Sequence, residues 1–193
     1  MIKLPEPRRD SNFSLEKAIN ERRSVRTYKD SSLTLKEVAQ LLWAAQGKVK
    51  SGKRATPSAG ATYPMEIYLI AGKVENLEPG LYKYNHDEHS LQLVKAGDLR
   101  REVSERALRQ DMILKAPVTI VVSAVFGRTR ARYGARAERY VYMEAGHIGQ
   151  NIYLQATALG LGTVAVGAFI DEEVKRVLGI KEEPLYLFPV GWK

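Results

Sequence analysis

Apolar residues recur at helical spacing in some stretches of this chain and run unbroken in others, and the breaks fall where Gly, Pro and small polar residues gather. Thr34, with Glu37 completing a capping box, opens a helix whose Val38, Leu41, Leu42 and Ala45 share a face and which Gly47 stops. Ser14 caps a shorter helix through about Arg23, with Leu15, Ala18 and Ile19 on one side. Ile67–Ala71 reads as a strand, and Gly80–Tyr84 pairs with Ser90–Val94 as a hairpin around a polar tip, Asn85–His89. The β-branched run Val118–Val125 predicts a strand buried on both faces. Further helices are expected near Leu99 to Arg109 and from about Glu138 to Leu159, the second ended by Gly160-Leu161-Gly162. Thr163–Val166 then starts a strand, Gly167-Ala168 turns, Asp171 caps a short amphipathic helix ending at Gly179, and Leu185–Val190 forms the last strand.

Helices and strands mix without strict βαβ alternation, and neither a repeat nor an interdomain linker interrupts them. The pattern therefore predicts an α+β fold, a mixed sheet flanked by helices, in a single domain spanning 1–193. The segment Lys48 to Ala61 has no periodicity and reads as a loop, and a loop of that length usually has a function. The long helix carries Ala145, Gly146, Gly149, Ala156 and Ala158, which would let another helix approach closely. A subunit interface and a buried central helix within one subunit both fit that feature.

Composition narrows the chemistry. Thirty Lys plus Arg against twenty-two Asp plus Glu leave a net charge of +8, which favours anionic ligands. The positive residues are scattered among acids, and no zinc-ligand spacing or leucine heptad accompanies them, so nucleic acid is not the expected partner. With no cysteine, thiolate nucleophiles and disulfides are excluded, and any redox chemistry must come from a cofactor. No apolar run has the length of a signal-peptide core or a membrane span, so a cytoplasmic location without membrane association is expected.

The densest chemical feature is Arg22, Arg23, Ser24 and Arg26, three guanidiniums and a hydroxyl at the end of the first helix. Such forks match phosphate oxygens two at a time, although a solvated basic run complementing the helix dipole would look the same. Tyr133, between Arg132 and Arg136, could donate a proton or pack its ring at the surface. His147, among small residues of the long helix, suits a structural hydrogen bond. His86 and His89 sit at a hairpin tip with no third metal ligand nearby.

Together, Arg22-Arg23-Ser24-Val25-Arg26, Leu41–Gly47, Pro57–Pro64, Glu144–Asn151 and Leu159–Thr163 resemble, in order, landmarks of the FMN-dependent nitroreductase superfamily, and specifically its SagB-type dehydrogenase branch. The resemblance implies an intertwined homodimer with FMN at each of two subunit interfaces. Arg22, Arg23, Ser24 and Arg26 would hold the phosphate, the ribityl chain and the polar edge of the flavin. Pro57, Ser58, Ala59 and Gly60 would line the ring from the partner subunit, and the backbone of Gly167 and Ala168 would face the flavin N5 region. It further implies hydride transfer from NADH or NADPH through N5 to a small-molecule acceptor such as a nitroaromatic or quinone. Peptide azoline oxidation and flavin binding without turnover are the alternatives. Three departures stand out. Ala61 replaces an Asn common in the family, Arg132-Tyr133 stands where azoline-oxidising members have Lys-Tyr, and the chain stops at Lys193, leaving that ammonium as the one late basic phosphate ligand.

Overall fold

The computed structural model describes residues 1–193. Its centre is a seven-stranded sheet in the order β1-β4-β3-β2-β5-β7-β6, comprising β1 (Ile2–Lys3), β2 (Met65–Ala71), β3 (Gly80–Asn85), β4 (Ser90–Ala96), β5 (Val118–Ala124), β6 (Leu161–Thr163) and β7 (Glu183–Trp192). All neighbouring strands pair antiparallel, and parallel pairing is confined to isolated bridges at Ser24–Thr163 and Leu33–Val74.

Every residue of β5 is buried, the polar Thr119 and Ser123 included, as its β-branched run predicts. Residue alternation sends Ile67, Leu69, Ile120 and Val122 to one face and Tyr68, Ile70 and Val121 to the other. The larger core forms on the first face, where α2 (Leu35–Gln46) and α6 (Ala137–Ala158) pack together across the strands. At 22 residues, α6 is about 33 Å long and spans the sheet. It packs closely because Gly149 admits the Phe188 ring, which lies 2.9 Å from where a Cβ would project. The smaller core is covered by α3 (Arg100–Arg106), α4 (Asp111–Lys115) and α7 (Asp171–Leu178).

The local signals produce the expected helix starts. Glu37 N donates to Thr34 Oγ1 at 3.4 Å while Thr34 N donates to the Glu37 carboxylate at 2.7 Å, so each satisfies an otherwise orphaned donor. Lys17 N donates to Ser14 Oγ at 3.1 Å at the start of α1 (Leu15–Glu21). Of the three apolar residues expected on its inner face, only Ala18 is buried; Leu15 and Ile19 are 60% and 55% exposed.

Other boundaries shift. The basic stretch Arg128–Arg139, for which spacing predicts no element, is helical: Phe126–Tyr133 forms α5 and a 3-10 turn over Gly134–Arg136 leads into α6. The strand expected at Thr163–Val166 is β6, earlier by two residues, with Val166 making only an isolated bridge to Leu187. Ile170 occupies the cap of α7, and Asp171 lies in its first turn with Glu172 and Glu173, where acids suit the helix dipole.

Candidate functional site

The basic cluster is held on the sheet edge. At Arg22 the backbone leaves helical geometry, φ −60° and ψ 127°, and the next residues run beside β6. Ser24 bridges Thr163, and Val25 N donates to Thr163 O at 2.8 Å. Val25 is buried against Gly162, where a Cβ would fall 2.7 Å from Val25 Cβ, so glycine is needed for the approach. With Val25 turned inward, Arg23, Ser24 and Arg26 are exposed and Arg22 is half-buried.

None of these guanidiniums has a carboxylate or carbonyl partner: Arg22 lies over the Tyr153 ring, 5.2 Å from its centroid, while Arg23 and Arg26 touch no acceptor. Tyr153, on α6, accepts from Ala165 N at 2.8 Å and lies 2.9 Å from Ser24 Oγ, to which its own proton can go. One phenol therefore joins the basic cluster to the segment leading into Gly167. Gly167 and Ala168 form an exposed turn whose N–H groups donate to no protein atom, while Ala168 O accepts from Gln110 at 2.8 Å. Lys193 follows β7, whose last residue Trp192 pairs with Leu161 of the edge strand β6 and accepts from Lys29 N at 2.8 Å.

A second group surrounds Pro57, Ser58, Ala59 and Gly60. Gly60, Ala61 and Tyr63 have positive φ of 56°, 54° and 43°, with right-handed Thr62 between the last two, and this backbone is costly at the two non-glycine positions. Several contacts impose it. Tyr63 N donates to Ser58 Oγ at 2.9 Å, Thr62 and Thr129 hydroxyls meet at 2.9 Å, and Arg132 and Arg128 donate to Gly60 O and Tyr63 O at 3.1 and 2.9 Å. Tyr133 is the last residue of α5. Its ring meets Tyr140 edge-on at 4.9 Å, and its hydroxyl, bonded to nothing, lies over Gly60.

Beneath this loop is Glu144, 3% exposed. Burial pushes its carboxyl above the usual range, and hydrogen bonds from Ser58 and Gln46 with the nearby Arg54 charge only partly counter that effect. Gln46 Oε1 is buried without a partner. Arg54 lies over the Tyr63 ring at 4.7 Å and donates to Met65 O at 3.2 Å.

The expected site residues thus form two sets, Arg22, Arg23, Ser24, Arg26, Gly167, Ala168 and Lys193 in one and Pro57, Ser58, Ala59, Gly60 and Tyr133 in the other. No hydrogen bond or ion pair joins the sets within the chain. Tyr153, Glu144 and Arg54 were not expected from sequence. Glu144 was findable, because Val141, Glu144, Ala145, Ile148 and Ile152 lie in phase on the buried face of α6. Tyr153 carried no comparable signal. His147 is exposed with no hydrogen-bond partner, contrary to the structural bond expected of it. His89 instead bridges Tyr84 and Pro5 O at 2.8 and 2.9 Å, and no group of three or more His, Asp or Glu side chains could hold a metal ion. No helix is long and apolar enough to cross a membrane.

Residues 19–192 match the model of the Nitroreductase family. A protein of Methanocaldococcus jannaschii named as a candidate nitroreductase, MJ1384, is 46% identical over 193 residues, covering 100% of this chain and 96% of that protein. A candidate nitroreductase structure from Ralstonia eutropha superposes with a TM-score of 0.86 at 31% identity, covering 99% of this chain and 88% of that one. A chain of the Escherichia coli microcin synthetase McbBCD complex with truncated pro-MccB17 gives 0.74 at 25% identity, covering 97% and 76%.

Proposed function

Because this chain belongs to the nitroreductase family of oxidoreductases, we propose that it binds FMN in a cleft shared by two copies and passes hydride from NADH or NADPH to a small acceptor, such as a nitroaromatic or a quinone. The observation that carries the reading is the set of three guanidiniums at Arg22, Arg23 and Arg26, held on the sheet edge with their donors unspent. A phosphate dianion is the complement to that arrangement, and Ser24 adds a neutral donor. Lys193 contributes a further positive charge along the same edge.

The rest of the donor set also fits a flavin. The tandem free N–H groups of Gly167 and Ala168 offer fixed donors without side-chain bulk. Pro57, Ser58, Ala59 and Gly60 present a small-residue surface, made rigid by Arg132, Arg128 and Glu144, against which a flat ring can lie. Bound FMN would supply the redox chemistry, its N5 accepting hydride from the donor and returning it to the acceptor. The protein then has to orient the ligands and deliver a proton. The Tyr133 hydroxyl, free and over Gly60, is the group we assign to that delivery.

The reading uses two chains: no hydrogen bond or ion pair joins the proposed phosphate-holding set to the proposed ring-lining set within one, which is compatible with each coming from a different copy. The exposed Tyr142 and Met143 on α6, beside Gly146, and the exposed Leu15 and Ile19 on α1 offer an apolar surface for the second copy. Mixing an Arg22→Ala chain with one disrupted at Gly60 tests this, because a mixed dimer regains one complete site from two defective chains. Absence of any regained FMN binding would rule out the shared cleft.

The reading as a whole is tested on purified protein. A flavin spectrum bleached anaerobically by NADH or NADPH and restored by a nitroaromatic or quinone is expected. FMN bound tightly but reduced by no donor would make this a binding module, and failure to reconstitute with FMN would end the proposal. Oxidation of a peptide azoline, with oxygen reoxidising the flavin, is the second reading, favoured by the likeness to the microcin synthetase chain. It ranks second because a guanidinium is no proton-accepting base, and Arg132 donates to Gly60 O.

A further inference from the structure

We propose that the cleft beside the Pro57–Gly60 loop is a subsite for an anionic group, a carboxylate or a phosphate, carried by the second ligand that meets the flavin; this rests on the flavin reading above. The cleft holds about 560 Å³ and its walls include Lys53, Arg54 and Arg132 but no Asp or Glu. None of the three cations lies within ion-pair distance of a carboxylate. That absence is selective. On the same helix as Arg132, Arg128 is paired with Glu66 at 2.5 Å and Arg130 with Glu138 at 3.4 Å, so α5 leaves unpaired the arginine that faces the cleft.

The three cations are also presented in different ways. Arg54 is half-buried, fixed by Met65 O and by the Tyr63 ring, and burial lowers its affinity for the proton. Glu66, Glu144 and Asp87 act on it from beyond ion-pair contact, so this partly desolvated guanidinium has no directly bonded counter-charge, and an anion entering the cleft would supply one. Arg132 spends one donor on Gly60 O, which orients the guanidinium and leaves its other N–H groups available. Lys53 is exposed at the rim, suited to meeting an arriving charge. Ser58 and Gly60 line the same cleft, placing the subsite against the loop assigned to the flavin ring.

The anionic oxygens could belong to the acceptor, as a carboxylate, or to the donor, as the pyrophosphate of NADH. The test uses FMN-loaded protein with Lys53→Gln and, separately, Arg132→Gln, and compares para-nitrobenzoate with para-nitrobenzamide, which share a reducible nitro group and differ in charge. If the carboxylate is the ligand, preference for the benzoate falls about tenfold through its KM, the scale of one charge-assisted contact. If the donor is the source, that ratio stays, the KM for NADH rises about tenfold, and inorganic pyrophosphate binds the loaded protein more weakly. Either result supports the subsite, and partial recovery in Arg132→Lys strengthens it.

Unchanged ratio, NADH KM and pyrophosphate affinity in both variants would overturn it. So would a matching loss of FMN affinity, which would assign the cations to the cofactor. Lys53→Gln guards against misfolding, because that side chain contacts no other residue through a hydrogen bond or ion pair. Should the parent protein take up no FMN, the flavin reading fails on its own. Titration with pyrophosphate and benzoate then still decides the subsite, weaker binding by the variants supporting it and equal binding refuting it.

Discussion

The Tyr153 hydroxyl lies 2.9 Å from Ser24 Oγ while accepting a hydrogen bond from Ala165 N at 2.8 Å, so a single side chain on α6 fixes both the basic cluster and the approach to the Gly167 turn. Tyr153→Phe keeps the ring under Arg22 and its edge-on contact with Phe188 but leaves Ala165 N without its acceptor. Stability should fall by about 0.5–1.5 kcal/mol, the net contribution of one hydrogen bond to a partly buried donor, and FMN affinity should fall with it. Urea denaturation and flavin-fluorescence titration measure the two losses. Unchanged FMN affinity would remove Tyr153 from support of the site.

Removing Arg22 is a different experiment, because it takes away a charge rather than a scaffold. Arg22→Ala should weaken FMN binding by about 1.5–3 kcal/mol, roughly tenfold or more, and flatten the salt dependence of binding. Riboflavin, which lacks the phosphate, should lose much less. Equal losses for both ligands would place Arg22 away from the phosphate.

Gly162→Ala tests how the cluster is seated. The added methyl would meet Val25 Cβ at 2.7 Å, with buried strand backbone on both sides, and overpacking of this kind costs about 1–3 kcal/mol. Thermal unfolding should show the loss. A variant as stable as its parent would mean that the Val25 segment can move off β6.

Glu144 sets a pH dependence whose sign can be stated. Its folded-state pKa is raised above the ordinary carboxylate value by burial, so the folded protein holds this proton more strongly than the unfolded chain does. The resulting stabilisation is complete below the unfolded value and is lost as pH rises through the folded one. Glu144→Gln removes that loss. Its amide can also serve Gln46 Oε1, now without a donor, while its oxygen still accepts from Ser58. The variant should therefore be at least as stable as its parent at neutral pH, with a flatter profile of melting temperature against pH above the ordinary carboxylate range. A parallel profile would exclude Glu144 as the titrating group.

Much of this arrangement could be read from neighbouring residues. The Thr34 and Glu37 pairing, the buried run of β5 and the hairpin around Asn85–His89 depend on local chemistry, and they stand where spacing placed them. The departures occur where distant segments intervene. The first helix stops at Glu21, short of Arg23, because Ser24 joins Thr163 instead. The Arg128 region is helical because α5 packs on α6 and pins the loop below it, a contact that a string of arginines does not announce. At the site, Arg22, Ser24 and Gly60 were legible as residue types suited to a phosphate and a flat ring. Tyr153 was not, because its importance lies in a hydroxyl that meets two segments remote in sequence.

The distance along the chain between Ser24 and Tyr153, 129 residues, has a bearing on biosynthesis. During translation the arginines emerge early but have nothing to lie against until α6 and β6 have been made and folded. A nascent or truncated polypeptide ending before α6 would therefore carry the charges without the shape that makes them selective. On the proposed flavin reading, cofactor capture would have to wait until α6 and β6 are folded.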